Sequence, residues 1–142
     1  MSQINTGRVI AGGLLAGLVM NIIDFLVNAV WLGQAWTDAV KARGVDAAAT
    51  QAFAWVGWVI VDFIAGLFLV WIYAGFRPRF GPGPKTALLA SLAVWGIGHL
   101  VFASYAFMGM LPWGLVVKVT AGGFVAVFAA GLVGCWLYKE ER

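Results

Sequence analysis

The sequence predicts an all-α integral membrane protein with four transmembrane helices, arranged as an up-down-up-down bundle of two tandem helical hairpins. Of the 142 residues, 63% are hydrophobic and 11% are charged, which excludes a water-soluble surface. Four apolar stretches are each long enough to cross a hydrocarbon core of about 30 Å. They lie at about 9–31, 53–73, 86–105 and 113–138. We therefore expect one membrane domain over residues 1–142.

The connections between these stretches are short. A segment rich in proline and glycine predicts a cytoplasmic loop at 77–85, because such residues interrupt helices. The external loop is predicted at 33–51. Within it we expect Thr37 to cap a short surface helix that ends at Gly44. Asp46 is expected to cap the second transmembrane helix.

The distribution of lysine and arginine predicts the orientation of the chain, because cytoplasmic loops of membrane proteins are enriched in these residues. The opposite side carries only Lys41 and Arg43, which are balanced by Asp38 and Asp46. We expect a multi-pass protein of the bacterial inner membrane with both termini in the cytoplasm. The net charge of +3 thus reflects topology and does not indicate nucleic-acid binding. Six basic residues share the cytoplasmic side: Arg8, Arg77, Arg79, Lys85, Lys139 and Arg142.

Two parts of the sequence resemble each other. Ala65-Gly66-Leu67 is followed after three residues by Trp71-Ile72-Tyr73, and Ala130-Gly131-Leu132 is followed after three residues by Trp136-Leu137-Tyr138. An internal match with constant spacing is the signature of a repeat. We therefore predict two hairpins related by duplication, with the symmetry axis along the membrane normal.

Small residues predict where helix backbones approach each other closely. On the first helix, the face that carries them continues outward as Asn21, Asp24 and Asn28. Each of these asparagines lies about one turn from Asp24, so we expect both to donate hydrogen bonds to its carboxylate. The small residues predicted to pack are Gly13, Gly17, Gly122, Ala126, Ala130 and Gly134.

Four ionisable residues fall inside four different predicted transmembrane helices and at about the same depth. They are Asp24, Asp62, His99 and Lys118. A charge among lipid tails is costly, so such residues are expected to face the interior of the bundle and to pair. If consecutive helices are neighbours in the bundle, Lys118 pairs with Asp24 and Asp62 pairs with His99. This layer is the candidate site.

Three functions fit this polar layer. The favoured one is a non-enzymatic structural or accessory subunit, in which the polar residues fix the register of the helices. The first alternative is proton- or ion-coupled transport of a small molecule by an oligomer, because aspartate and histidine often relay protons inside membranes. The second is a cofactor or metal subunit, with His99 as an axial ligand or with Asp24, Asp62 and His99 around a metal. The sequence does not specify which cofactor or metal.

No enzyme motif is present. The sequence has no phosphate-binding loop, nucleophile elbow, HExxH pair or dinucleotide fingerprint. Its single cysteine, Cys135, excludes a CxxC redox pair. Four helices in 15.2 kDa leave little room for an internal cavity. We therefore expect a homo-oligomer, or a subunit of a larger membrane complex, in the lipid bilayer.

The segment 31–36, followed by a short surface helix that ends at Gly44, resembles the turn after the first helix in an uncharacterised family of small bacterial four-helix membrane proteins. The segment 118–136 is also similar in character. The family pattern has an aromatic-Ser-Pro step before the turn, where this chain has Asn28-Ala29-Val30. The resemblance implies a four-helix membrane fold and assigns no activity and no site residues.

Overall fold

A computed structural model describes residues 4–140, apart from the side chain of Ala52. The prediction of an all-helical chain with four long apolar helices is confirmed. The helices long and apolar enough to cross a membrane are α1 with its π-helical extension, α3, α4 and α5. In chain order the segments are α1 (Thr6–Asp24), a π-helical segment (Phe25–Trp31), α2 (Gly33–Lys41), α3 (Ala47–Phe80), α4 (Pro84–Phe107) and α5 (Trp113–Leu137).

Helix α3 continues into the segment predicted as the loop 77–85. It ends at Phe80 and contains Pro78 in its last turn. Proline removes one backbone hydrogen bond and its ring crowds the carbonyl four residues earlier, so a helix seldom continues far beyond it, and α3 ends two residues after Pro78. Helix α4 begins at Pro84, whose fixed φ suits the first turn of a helix. The connection is therefore limited to 81–83, and the prediction that the loop starts at residue 77 was wrong.

The predicted external loop 33–51 is mostly helical. Helix α2 begins at Gly33, so Thr37 lies inside it and donates a hydrogen bond from Oγ1 to the Gly33 carbonyl at 2.9 Å. The prediction of Thr37 as a cap was wrong. Gly44 follows the helix with φ of +71°, which is common just after a helix end. Asp46 caps α3 as predicted, because its carboxylate accepts a backbone N–H two residues later at 2.9 Å.

The long helices contact one another in a ring. Helix α1 packs against α3 and α5, α4 packs against the same two helices, and α3 also touches α5. Gly13 of α1 lies against Leu67 of α3, while Gly17 lies against Phe63. Residue numbers therefore rise along one helix as they fall along the other, so α1 and α3 are antiparallel.

Glycines allow α1 to approach its neighbours at backbone distance. A Cβ atom on Gly17 would lie 2.7 Å from the Cα atom of Phe63, and one on Gly12 would lie 2.6 Å from the carbonyl oxygen of Gly134. Only residues without side chains permit this contact. The small residues predicted to pack are all buried: Gly13, Gly17, Gly122, Ala126, Ala130 and Gly134.

The buried apolar side chains form two clusters at different heights. We call the end of the bundle that holds the 81–83 connection the inner end, and the end that holds α2 the outer end. A small outer cluster contains Leu32, Ala39 and Leu115. The larger, inner cluster contains Val9, Ala16, Met20, Leu69, Val70, Tyr73, Ala74, Ala87, Ala90, Val127, Ala130, Cys135 and Tyr138.

Two tyrosines at the inner end hold the beginnings of two helices. The hydroxyl of Tyr138 accepts a hydrogen bond from the backbone N–H of Asn5 at 3.3 Å, and that of Tyr73 accepts one from Gly83 at 3.1 Å. Their rings are 6.0 Å apart and nearly perpendicular. The guanidinium of Arg77 lies 5.9 Å from the Tyr73 ring centroid and 5.2 Å from that of Tyr138, close enough for a cation–π interaction.

We predict that Gly66→Ala destabilises the protein, because the added Cβ atom would meet the backbones of Gly13 and Gly17. Overpacking of this kind lowers the free energy of unfolding by about 1–3 kcal/mol. The measurement is SDS-induced unfolding of the purified protein in detergent micelles, followed by circular dichroism.

The matched control is Gly57→Ala on the same helix, where an added Cβ atom has no neighbour within 4 Å. We expect Gly57→Ala to leave stability within about 1 kcal/mol of the wild type, since only the intrinsic helix preference changes. Equal losses for both variants would contradict the close packing of α1 against α3.

Candidate functional site

The six candidate polar residues differ in burial. Asp62 is buried, with 8% of its surface exposed. Lys118 is exposed on the outside of the bundle, so it does not belong to a buried group and its predicted burial was wrong. The remaining four are half-buried: Asn21, Asp24, Asn28 and His99.

The two aspartates lie at different levels along the contact between α1 and α3. Phe63 lies against Gly17, so Asp62 is level with about the next residue of α1. At 1.5 Å per residue, Asp24 is roughly 9 Å closer to the outer end.

Lys118 lies still closer to the outer end. Gly122 of α5 lies against Val27 of the π-helical segment, and Lys118 is one turn beyond Gly122. It is therefore roughly 10 Å closer to the outer end than Asp24, and roughly 20 Å from the level of Asp62. The ionisable residues thus form a staggered series and not the single layer expected from the sequence.

The charge pairs predicted for Asp24 and Asp62 are absent from the described part of the chain. Within residues 4–140, the one ion pair joins Arg77 Nη1 to Glu140 Oε1 at 3.5 Å, at the inner end. Lys118 does not reach Asp24 because it projects away from the bundle interior. The prediction of two buried ion pairs was therefore wrong.

His99 belongs to the contact between α4 and α5 and does not face Asp62. Its Nδ1 atom is 3.0 Å from the carbonyl oxygen of Trp95; since a carbonyl only accepts, Nδ1 carries the proton. Its Nε2 atom lies against Gly123, where any side chain would collide with it. The ring also packs 5.6 Å from that of Trp95. Both ring nitrogens are thus directed at neighbouring backbone.

The two asparagines bind backbone and side-chain groups other than the neighbouring carboxylate. Asn21 donates from Nδ2 to the carbonyl oxygens of Gly17 at 2.9 Å and Val59 at 3.4 Å. Asn28 Oδ1 accepts a hydrogen bond from Trp36 Nε1 at 3.1 Å. Asn21 therefore joins α1 to α3, and Asn28 holds α2 against the π-helical segment. The predicted hydrogen bonds to Asp24 are replaced by these.

The helix changes from α to π geometry directly after Asp24. The π-helical segment covers Phe25–Trp31, and such segments within helices are frequent at functional sites. Nothing in the residue pattern predicted it. Val27 within it packs on Gly122, and Asn28 within it binds Trp36, so the segment connects α1 to both α5 and α2.

The described residues contain no group of three or more histidine, cysteine, aspartate or glutamate side chains placed to hold a metal. Asp24, Asp62 and His99 therefore do not form the metal group considered from the sequence. A shallow groove of about 340 Å³ lies on the outer side of the α1–α3 contact. Its lining is Asn21, Ile22, Phe25, Leu26, Trp55 and Val59.

We predict that Asp24→Asn and Lys118→Met have additive effects on the free energy of unfolding, because the two side chains do not pair. Independent sites usually show coupling below about 0.5 kcal/mol. A double-mutant cycle measured by SDS-induced unfolding tests this. The matched cycle uses Arg77→Met and Glu140→Gln, whose ion pair predicts a coupling of up to about 1 kcal/mol. Strong coupling between Asp24 and Lys118 would contradict the exposed position of the lysine.

We also predict that Gly123→Ala destabilises the protein and that His99→Ala restores part of the loss. The added Cβ atom would meet the imidazole ring, and relief of this collision in the double variant distinguishes it from a general helix effect. The expected loss is about 1–3 kcal/mol, measured by the same unfolding assay. No recovery in the double variant would show that His99 does not pack there.

No family model, curated protein or solved structure was found to match this chain. The resemblance noted for residues 31–36 therefore stays a prediction.

Proposed function

We propose that this chain is a multi-pass protein of the bacterial inner membrane that acts as a non-enzymatic structural or accessory subunit, in an oligomer or a larger complex. Its four long apolar helices cross the bilayer as an up-down-up-down bundle, with both termini and the 81–83 connection in the cytoplasm. The basic residues near the inner end support this orientation. One of them, Arg142, lies outside the described residues.

The contacts of the two tyrosines support the proposed duplication. Tyr73, near the inner end of the first hairpin, holds the start of α4, while Tyr138, at the end of the second hairpin, holds the start of α1. Each repeat thus binds the beginning of the other. In the sequence, an arginine follows each tyrosine after three residues, Arg77 in the first repeat and Arg142 in the second.

The proposal of a subunit rests on the exposed apolar surface along the outer half of α3. Among its described residues, none from 47 to 61 is buried against the rest of the chain. Phe53 is 85% exposed and Trp58 55% exposed. The helix has 34 residues, about 51 Å, which exceeds a hydrocarbon core of about 30 Å. A partner chain along this half of α3 would cover apolar surface that extends beyond the lipid tails.

The packing of the inner half favours a subunit over a transporter. The larger apolar cluster occupies this half, and its neighbouring buried polar residues are engaged locally: Thr86 donates to the Gly81 carbonyl at 2.6 Å, and Ser91 to the Ala87 carbonyl at 2.9 Å. A transported ion needs polar groups along its whole path. The described residues of the inner half contain no continuous series of polar groups.

The surroundings of His99 favour a subunit without a haem or similar cofactor. An axial ligand needs a free ring nitrogen directed at the metal. The Nδ1 atom of His99 is bonded to the Trp95 carbonyl, and Nε2 faces the backbone of Gly123. The imidazole acts here as a packing group between α4 and α5.

Site-specific photo-crosslinking in native membranes tests the subunit proposal. A photoreactive amino acid at Trp58, on the outer half of α3, is expected to give one crosslinked product of discrete mass, either a dimer or a complex with one other chain. The matched control is Leu100 on α4, which is 75% exposed and is expected to give only lipid adducts. Lipid adducts alone at both positions would contradict the proposal.

Cysteine labelling tests the proposed orientation. In a Cys135→Ser background, Arg43→Cys is expected to react with a membrane-impermeant maleimide in spheroplasts, because it lies between α2 and α3 at the outer end. Lys85→Cys, at the inner end, is expected to react only after the membrane is opened. The reverse pattern would show that the chain is inserted the other way round.

A further inference from the structure

Arg77 carries its charge into the inner end of the bundle. Its side chain is 16% exposed, and its Nε and Nη1 atoms are buried. Among the described residues, neither atom has a hydrogen-bond partner. A buried donor that belongs to a charged group is costly to leave without an acceptor. This guanidinium therefore has donor capacity that residues 4–140 do not use.

The acidic group beside this guanidinium is the carboxylate of Glu140. Its Oε1 atom lies 3.5 Å from Arg77 Nη1, at the distance of an ion pair but without the geometry of a hydrogen bond. Glu140 is half-buried and lies beyond the end of α5, outside the helices. Ion pairs near the surface contribute little to stability. A better acceptor can therefore displace Glu140 without unfolding a helix.

Two aromatic rings fix the guanidinium in place. It lies 5.9 Å from the ring centroid of Tyr73 and 5.2 Å from that of Tyr138. Both tyrosines are buried, and the hydroxyl of each is held by a backbone N–H. A group that is oriented in advance loses less conformational freedom when it binds a ligand. The positive charge of Arg77 is thus presented by rigid neighbours.

Arg77 lies at the level where α5 ends and α1 begins. Its guanidinium lies over Tyr138, the residue that follows α5, and Tyr138 binds the N–H of Asn5, the residue that precedes α1. Helix α5 has 25 residues, or about 38 Å, so in a bilayer with a hydrocarbon core of about 30 Å its ends reach the layer of lipid phosphates. In the membrane arrangement proposed above, Arg77 is level with the headgroups of one leaflet.

We propose that Arg77 binds a phosphate group, which displaces the carboxylate of Glu140. The two Nη atoms form one edge of the guanidinium, and such an edge binds two oxygens of a phosphate at once. The headgroup of an anionic phospholipid and a free phosphate ion share this chemistry. One negative charge takes the place of another, so the balance of charge around Arg77 is kept. The proposal does not depend on the subunit function proposed above.

The other basic residues near the inner end do not offer the same site. Arg79 and Lys85 are exposed, so a phosphate beside them meets solvated charges, which are screened by salt. A lysine also lacks the planar fork that binds two oxygens. Arg77 differs from both because its guanidinium is mostly buried and lies between two rings.

Thermal unfolding of the purified full-length protein in an uncharged detergent, followed by tryptophan fluorescence, tests the proposal. The probes are dioctanoyl phosphatidylglycerol, dioctanoylglycerol, which has the same chains and no phosphate, and inorganic phosphate against chloride at matched ionic strength. We expect phosphatidylglycerol, and not dioctanoylglycerol, to raise the unfolding temperature with saturation. A saturable shift with inorganic phosphate as well would show that a free phosphate suffices.

Two variants separate the guanidinium from its charge. In Arg77→Lys, which keeps the charge, the apparent affinity is expected to fall at least about tenfold, as for loss of a hydrogen bond to a charged group. The matched control is Arg79→Lys at the same helix end, which is expected to leave the affinity unchanged.

Displacement of Glu140 is tested by Glu140→Gln, which removes the competing carboxylate. The affinity is expected to rise about two- to fivefold, the worth of an ion pair near the surface. Its control is Asp38→Asn, which changes the net charge equally at the outer end and is expected to have no effect. If Arg77→Lys is not obtained in folded form, this comparison decides. No saturable shift, an equal shift with dioctanoylglycerol, or equal affinities in all variants would overturn the proposal.

Discussion

The fold depends on backbone contact between α1 and its two neighbours. Gly13 and Gly17 bring α1 against α3, and Gly12 meets Gly134 of α5. Inside a bilayer, apolar side chains gain little by leaving lipid for protein, so helices associate mainly through close van der Waals packing. Small residues make that packing possible. These contacts are confined to the inner half of the bundle, and this restriction determines where the remaining residues lie.

The polar residues of the four long helices lie at different helix contacts. Asn21 joins α1 to α3, His99 packs between α4 and α5, and Asn28 holds α2. Each of these neutral groups donates to or accepts from a nearby partner. A carboxylate needs a donor or a cation, and none of the described groups beside Asp24 and Asp62 supplies one. This difference distinguishes the two aspartates from the neutral polar residues of the series.

The two hairpins share a pattern but do not pack in the same way. Gly66 of α3 meets the backbones of Gly13 and Gly17, whereas its counterpart Gly131 of α5 meets the side chain of Ser91. A side chain in the contact keeps the backbones of α4 and α5 further apart. The tyrosine contacts at the inner end do match between the two hairpins, so the proposed duplication is supported there and not at the glycine contacts.

The sequence by itself determined the four long apolar helices, the small residues available for packing, and the identity of the ionisable residues, because these follow from composition and local spacing. It did not determine which residues pair. A shift of a helix by one turn along its axis, or a rotation about that axis, changes whether a side chain such as Lys118 faces the neighbouring helices or the outside of the bundle. The π-helical segment after Asp24 and the placement of His99 against Gly123 likewise depend on contacts between distant segments. Only the tertiary structure therefore separated the two carboxylates from the bases expected to neutralise them.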